Sequence, residues 1–380
     1  MAKNIFYWSL GLFILALIFL GAYNFAFKNN VNDPVADKEK KIAFEQNGSA
    51  ALFPQGKVES PINENVLGAV SGADGNIYYY SQDDRSVKKA TLDGKNKTVL
   101  LSNLPGTPIR IIWSAKRDLA LLYLRQMSGG TVWYFSDIAK KTIAPLKPEI
   151  SRLSWDNLGE KIYYQYTDPA TGMRTLNISN PDGSDWKKLA DLGNKEVFIA
   201  SVPESSMISF WNKPLAADAS LIEMVSSTGE FRKTLFSGKF GADFLWSPNG
   251  EAALFSAGDE KNSHSPLLYE VQAKDGQVKS LGVPTFVSKT VWSKDGKTVY
   301  YALPGALPEN AIVPDDYFSK PLYTKDTFWK MDTETGKKTR LIDLAESSQN
   351  LDSTSLFLSP NEDALFFTDR QTQKLHRIDL

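Results

Sequence analysis

Short apolar runs recur along most of this chain, each closed off by a polar turn. IYYY at 77–80, LALLYL at 119–124, IYYQY at 162–166, VYYA at 299–302 and ALFF at 364–367 are apolar at successive positions instead of alternating. A sheet with one wet face alternates, so these runs predict strands covered on both faces. Each follows a related phrase: an apolar residue, usually Trp-Ser, then a turn built on Asp, Asn or Gly. The clearest copies are LWSPNGEAALF from Leu245 and VWSKDGKTVYY from Val291; LSPNEDALFF from Leu358 is a weaker one. A third strand, a second Gly turn and a polar fourth strand carrying Lys or Arg complete the unit, as in DTFWKMD, TETGK and KTRLIDL between Asp326 and Leu344. Charges on the last strand suit an outer edge, where they resist pairing with other chains.

Taking Val70, Trp113, Trp155, Ser201, Trp246, Trp292 and Leu358 as equivalent, the steps are 43, 42, 46, 45, 46 and 66 residues. A period in the forties with several short strands per repeat predicts a β-propeller. Seven phrases predict seven blades; six follow if the weak stretch around 196–236 is no unit. The final unit has only three strands of its own, and its edge needs cover. Part of residues 50–60, with the apolar segment AALFPQGKV, is expected to supply that fourth strand and close the ring. Trp113, Trp155, Trp246 and Trp292 are read as structural, one large ring per blade packing on its neighbour. Their Ser, Asp and Gly followers are turn chemistry.

The phrases resemble the WSPDG repeats of the TolB-like propellers, also described as WD40-like (PD40) repeats. Similar repeats occur in the propeller domains of dipeptidyl-peptidase IV and prolyl oligopeptidase relatives. The likeness covers roughly 68–380; it is good at Trp246–Gly250 and Trp292–Gly296 and nearly lost at Ser201. The sequence holds neither the α/β domain that precedes the propeller in TolB nor a hydrolase domain after it. The resemblance therefore implies a fold more than an activity.

One apolar run is of another kind. Residues 5–27, IFYWSLGLFILALIFLGAYNFAF, carry no charge. As a helix they would reach roughly 34 Å, enough for a hydrocarbon core of about 30 Å. Tyr7, Trp8 and Tyr23 fit interfacial belts, and no A-x-A cleavage site follows. The expected organisation is a tail at 1–4, a transmembrane helix at 5–27, a flexible tether at 28–49 and a propeller at 50–380. Lys28, Lys38, Lys40 and Lys41 after the span outnumber Lys3 before it, which by basic residues alone favours the opposite orientation. A signal anchor with the propeller outside the cytoplasm is still preferred, because large domains translocate largely regardless of charge.

Charge and composition narrow the chemistry. Lys+Arg number 43 against 44 Asp+Glu, so a general nucleic-acid binder is not expected. The chain has no cysteine and two histidines, which excludes thiolate chemistry and argues against a multi-histidine metal site. No nucleophile elbow, zinc-protease or phosphate-loop motif occurs. Neither a cofactor nor a metal is expected, and the acidic pairs Asp83-Asp84 and Asp315-Asp316 read as loop residues.

The long last step comes from an insertion at 304–326 between the second and third strands of its blade. Pro304, Pro308, Pro314 and Pro321 argue against a regular helix there. Two readings stand side by side: a cap packed on the channel or a neighbouring blade, and a partner-binding loop using Ile312, Val313, Asp315, Asp316, Tyr317, Phe318 and Tyr323. The function expected is a non-catalytic scaffold docking a protein or peptide of the cell envelope. The alternatives are a small-ligand or glycan sensor using the channel, and a degenerate propeller enzyme.

Overall fold

In three repeats the turn is held by the serine that follows the repeat position. Ser247 Oγ accepts from Ala252 N at 3.1 Å, Ser114 Oγ from Leu119 N at 3.1 Å and Ser359 Oγ from Ala364 N at 3.0 Å. Gly250 shows why the next position is small: it sits at φ +67°, and a Cβ there would come within 2.1 Å of Pro203 O in the preceding repeat. The turn thus folds a hairpin and docks it on its neighbour at once.

A computed structural model describes residues 57–342 and 350–380 of the chain. The expected span 5–27, the tether 28–49 and residues 50–56 lie outside the described residues. Every repeat forms a four-stranded antiparallel unit. Units 2 and 3 are separate sheets, Thr107–Trp113 to Thr142–Pro145 and Ile150–Trp155 to Lys187–Gly193. Unit 6 is a third, from Thr290–Trp292 to Lys338–Arg340. The other units come in joined pairs. Lys233–Trp246 is the outer strand of unit 4 and then the inner strand of unit 5. Val58–Ser71 does the same for units 7 and 1. Seven units result among the described residues, including the weak stretch around 196–236, which forms unit 4.

The first half of Val58–Ser71 pairs with the last strand, Lys374–Asp379, through Val58↔Ile378, Glu59↔Arg377, Ile62↔Leu375 and Asn65↔Lys374. The pairing segment overlaps the expected 50–60 only at 58–60. Ile62 and Leu375 are fully buried in this seam, beside Val66.

Second strands are buried on both faces as their unbroken apolar runs predict: Ala252–Gly258 and Ala364–Asp369 hold no exposed residue. Fourth strands are wet, Val278–Ser280 at all three positions. The tryptophans lie between units. Trp113, Trp155, Trp246 and Trp292 are 6–7% exposed. Each indole N–H donates to the preceding unit: to Gly68 O at 2.8 Å, Ile112 O at 3.0 Å, Ser209 Oγ at 2.8 Å and Leu245 O at 3.3 Å.

One expected strand is different. Residues 286–293 read as a single first strand, but Val287–Lys289 form a 3-10 turn and only Thr290–Trp292 pairs. The Lys289 side chain of this turn reaches the buried carboxylates of Asp326 and Asp352.

Two outcomes follow. Ile62→Ala removes buried volume from the closing seam and should cost about 2–5 kcal/mol in urea unfolding, whereas Val99→Ala on an exposed outer position should cost within about 0.5 kcal/mol. Equal effects would show that the seam is dispensable. His376 is buried against Phe367, ring centroids 5.2 Å apart, and its Nε2 has no partner among the described residues. Burial holds its pKa below the ordinary value, the nearby Asp369 only partly opposing this. The unfolded chain therefore binds the proton first. Stability should fall as pH drops below about 6.5, and His376→Phe should flatten that part of the profile.

Candidate functional site

The insertion at 304–326 is built as a strap. Gly305 N donates to Lys325 O at 3.0 Å and closes its base. Val313 N donates to Ser263 O at 3.0 Å, and His264 Nδ1 lies 2.9 Å from Ala311 O, both across to unit 5. Ala216 N in unit 4 donates to Asp315 Oδ1 at 2.9 Å. Arg370 in unit 7 donates from Nη2 to Tyr317 O at 2.8 Å and from Nη1 to Leu322 O at 3.2 Å. The strap so reaches from unit 6 to units 4, 5 and 7.

The prolines do not abolish helix here. Asp315–Ser319 forms one helical turn directly after Pro314. A proline at a helix start costs no hydrogen bond, because the first N–H groups have no partner within the helix.

Beneath the strap lies a buried charge cluster that sequence reasoning missed. Lys289 is fully buried, and its Nζ stands 2.6 Å from Asp326 Oδ2, 2.6 Å from Asp352 Oδ1 and 2.8 Å from Ser353 O. Tyr317 donates its hydroxyl to Asp352 Oδ1 at 2.6 Å, and Arg370 Nη1 donates to Asp352 Oδ2 at 2.8 Å. Asp326 Oδ2 also accepts from Ser353 N at 2.7 Å and Ser353 Oγ at 2.6 Å, and its Oδ1 from Thr324 at 2.6 Å. Two cations balance two carboxylates, with their lone pairs filled, which is the condition for burying charge without a large penalty. Burial alone would raise the pKa of Asp352, but the Lys289 ammonium and its hydrogen bond outweigh it and hold the carboxyl below its usual range. The Tyr317 hydroxyl is pushed well above its ordinary pKa by burial, then by Asp352.

This corrects part of the partner-loop reading. Val313 and Tyr317 are buried, with Phe286 stacked on Tyr317 at 4.2 Å, so neither can meet a partner. Asp315 is occupied by Ala216 N of unit 4 at 2.9 Å, and Asp316 by Ile312 N at 3.0 Å and Lys320 at 2.8 Å. Ile312 is half-buried. Phe318 and Tyr323 stand out, 52% and 51% exposed. Of the other acidic pair, Asp83 accepts from Asn65 N at 3.2 Å and Asp84 from Ser86 at 2.8 Å, with Lys88 also on Asp84.

A second set of missed residues lies three places before each repeat position. There the inner strands carry Arg110, Arg152, Asp243 and Lys289, with Phe198 at the same place in unit 4. The signal was available: a charge inside an apolar first strand at a constant offset from Trp. Several of these strands are bulged near this point. Arg152, at φ +47°, is itself the extra residue between Ser151↔Gln165 and Leu153↔Tyr164. A bulge re-aims a side chain, and the Arg152 guanidinium lies over the Phe198 ring of unit 4 at 4.4 Å. Burial, then the charge of Arg152 in unit 3, pulls the Arg110 pKa below its ordinary value, and Asp243 in unit 5 partly opposes this. Among the described residues, no three of His, Cys, Asp and Glu are placed to hold a metal ion.

No protein-family model matches the chain, and no curated protein matches it in sequence. Solved structures do match in fold. An oligogalacturonate lyase in complex with manganese superposes with a TM-score of 0.62 at 12% identity, over 87% of this chain and 94% of that one. The oligogalacturonate lyase of Vibrio parahaemolyticus gives 0.62 at 10% identity, again over 87% and 94%. A β-propeller domain from Myceliophteria thermophila gives 0.55 at 9% identity, over 85% of this chain and 100% of that one. At such identities the likeness concerns architecture alone: the chain is an all-β protein of β-propeller fold.

Replacing Lys289 with Met should leave buried Asp326 without its cation and Asp352 with Arg370 alone, and cost about 3–5 kcal/mol. Adding Asp326→Asn to it should cost less than the two single losses summed, because both act on one cluster. Urea unfolding of the four proteins of this cycle tests it; strict additivity would mean that the cluster is not a unit.

Proposed function

We propose that the chain is a membrane-anchored, seven-bladed propeller of TolB-like type that docks a protein or peptide of the cell envelope outside the cytoplasm, without catalysis. The observation that carries this reading is the pairing of exposed aromatic rings with a rigid support. Phe318 packs edge-on against Tyr317 at 5.2 Å and Phe286 at 5.8 Å, yet leaves half its surface in water. Tyr323, further along the same strap, is equally exposed. Arg370 stacks on Tyr317 at 4.0 Å and the charge cluster pins the strap, so little side-chain or backbone freedom would be lost on binding. Aromatic anchors on a pre-organised surface are what interfaces use as binding hot spots. The apolar run at 5–27 supplies the anchor in this reading, with 28–49 as the tether.

The test is a photo-crosslinking residue placed at 318, at 323 or at the fully exposed control position Met127 in the full chain in native envelopes. One discrete adduct at 318 and 323, absent at 127, is expected. Phe318→Ser with Tyr323→Ser should abolish co-purification of the same species while changing stability by no more than about 1 kcal/mol, as surface changes do. Equal labelling at all three positions would sink the proposal.

A further inference from the structure

The turns between first and second strands form a chain around one face of the propeller. Arg117 Nε in unit 2 donates to Ser71 O in the turn of unit 1 at 3.1 Å. Asn157 Nδ2 in unit 3 donates to Val202 O and Ser205 O in unit 4, both at 2.9 Å. Gly250 in unit 5 lies against Pro203 in unit 4, and Ser293 Oγ in unit 6 donates to Glu362 Oε2 in unit 7 at 2.6 Å. In an antiparallel unit the third-to-fourth turn sits at this same end: Lys161 Nζ in the first turn of unit 3 donates to Asn180 Oδ1 in its second at 2.7 Å. The described chain also enters here. Val58 pairs with Ile378 and Ala364 with Asp379, so the closing strand begins beside the unit-7 turn. The strap leaves from the opposite end of the strands.

Three large apolar residues stand out of this face, all in units 3 and 4. Leu158 is 65% exposed in the first turn of unit 3, Trp186 59% in its second, and Phe231 80% in the second turn of unit 4. The two second turns are joined, Lys187 Nζ donating to Thr228 O at 2.9 Å. They share a pattern, Trp186-Lys187-Lys188 and Phe231-Arg232-Lys233, an aromatic tip followed by two cations. The equivalent turns of units 1, 2, 5 and 6 lack the ring: NKT at 96–98, AKKT at 139–142, GQVK at 276–279 and GKKT at 336–339. Phe231 stands at φ +52°, a left-handed conformation that bulky residues seldom adopt, and its ring gains no burial in return.

We infer, on the anchored reading above, that this face rests on a lipid bilayer, with Trp186 and Phe231 inserted at the headgroup level. Residues 28–56 separate the expected span from Lys57. An unstructured chain of that length spans roughly 30 Å on average. The face that it joins at Val58 is therefore held near the bilayer at high effective concentration, and weak contacts suffice. Single rings on loop tips suit lipid, which needs no complementary surface. An indole has an apolar body and a polar edge, and neighbouring Lys and Arg chains can reach the phosphate level while their stems stay apolar. Charge is not the main attraction, because Lys161, Lys188 and Arg232 are each paired with an acid, Asp185, Asp191 and Glu223. In this orientation Phe318 and Tyr323 on the strap face away from the bilayer.

The chain has no cysteine, so a single introduced one takes a label uniquely. The full chain carrying Leu158→Cys, Glu230→Cys or, on the opposite face, Met127→Cys is labelled with an environment-sensitive dye and reconstituted with phosphatidylcholine vesicles containing spin-labelled lipid. Quenching by the lipid label at 158 and 230, with none at 127, is expected. Trp186→Ser with Phe231→Ser should remove most of that quenching. Exchanging the rings, Trp186→Phe with Phe231→Trp, should keep it, which separates loss of the contact from loss of the fold. Vesicle flotation reads the anchor by itself: the double serine variant should still float. A chain that does not float, yet is quenched at 158 and 230 when vesicles are present, would refute the anchor and leave the lipid face standing. A dye shift without lipid quenching would mean a protein occupant. That result, no response at 158 and 230, equal quenching at all three positions, or undiminished quenching in the double serine variant would each overturn the inference.

Discussion

The register of one strand governs the rest of the molecule. Val58–Ser71 pairs with Lys374–Asp379 over its first half and with Asn76–Ser81 over its second. Side chains in a strand alternate faces, so a one-residue slip would turn Ile62 and Val66 out of the seam. The bulge between Leu67 and Val70, with Gly68 at φ +62°, lets a single strand change partners midway. Every indole contact between units presumes this closed succession, because each tryptophan takes its acceptor from the unit before it. Lys233–Trp246 repeats the device between units 4 and 5, where Gly241 and the Asp243 bulge make the bend.

Within that frame the insertion is integral. A loop of its length would ordinarily lose much entropy on ordering. Here Tyr317 and Val313 fill an apolar recess with Phe286, while Lys289, Asp326, Asp352 and Arg370 set its position by paired charge. Removing water from these groups is tolerable only because almost every lone pair is met, so the cluster admits one arrangement of the strap and few others. The same rigidity leaves Phe318 and Tyr323 presented at fixed places. The repeat thus uses equivalent positions differently: Lys289 is neutralised under the strap, and Arg152 is paired with Glu196.

Sequence alone determined the repeat, its period, the doubly covered second strands, the wet outer strands and the structural use of Trp113, Trp155, Trp246 and Trp292. These are local patterns: periodicity reports which faces are dry, and turn chemistry reports where the chain reverses. It also marked 304–326 as the departure from the plan. Tertiary structure alone decided which strand closes the last unit, that 287–289 coil into a tight turn, and that Val313 and Tyr317 face inward. It brought Lys289 to Asp326 and Asp352, positions 37 and 63 residues away in the chain. The reason is the same in each case. An apolar residue in a proline-rich loop satisfies the hydrophobic effect equally well against its own fold or against another molecule, and a charge in a strand has no preferred partner until the units are stacked. Burial and pairing are properties of the closed ring, and no stretch of chain shorter than the ring contains them.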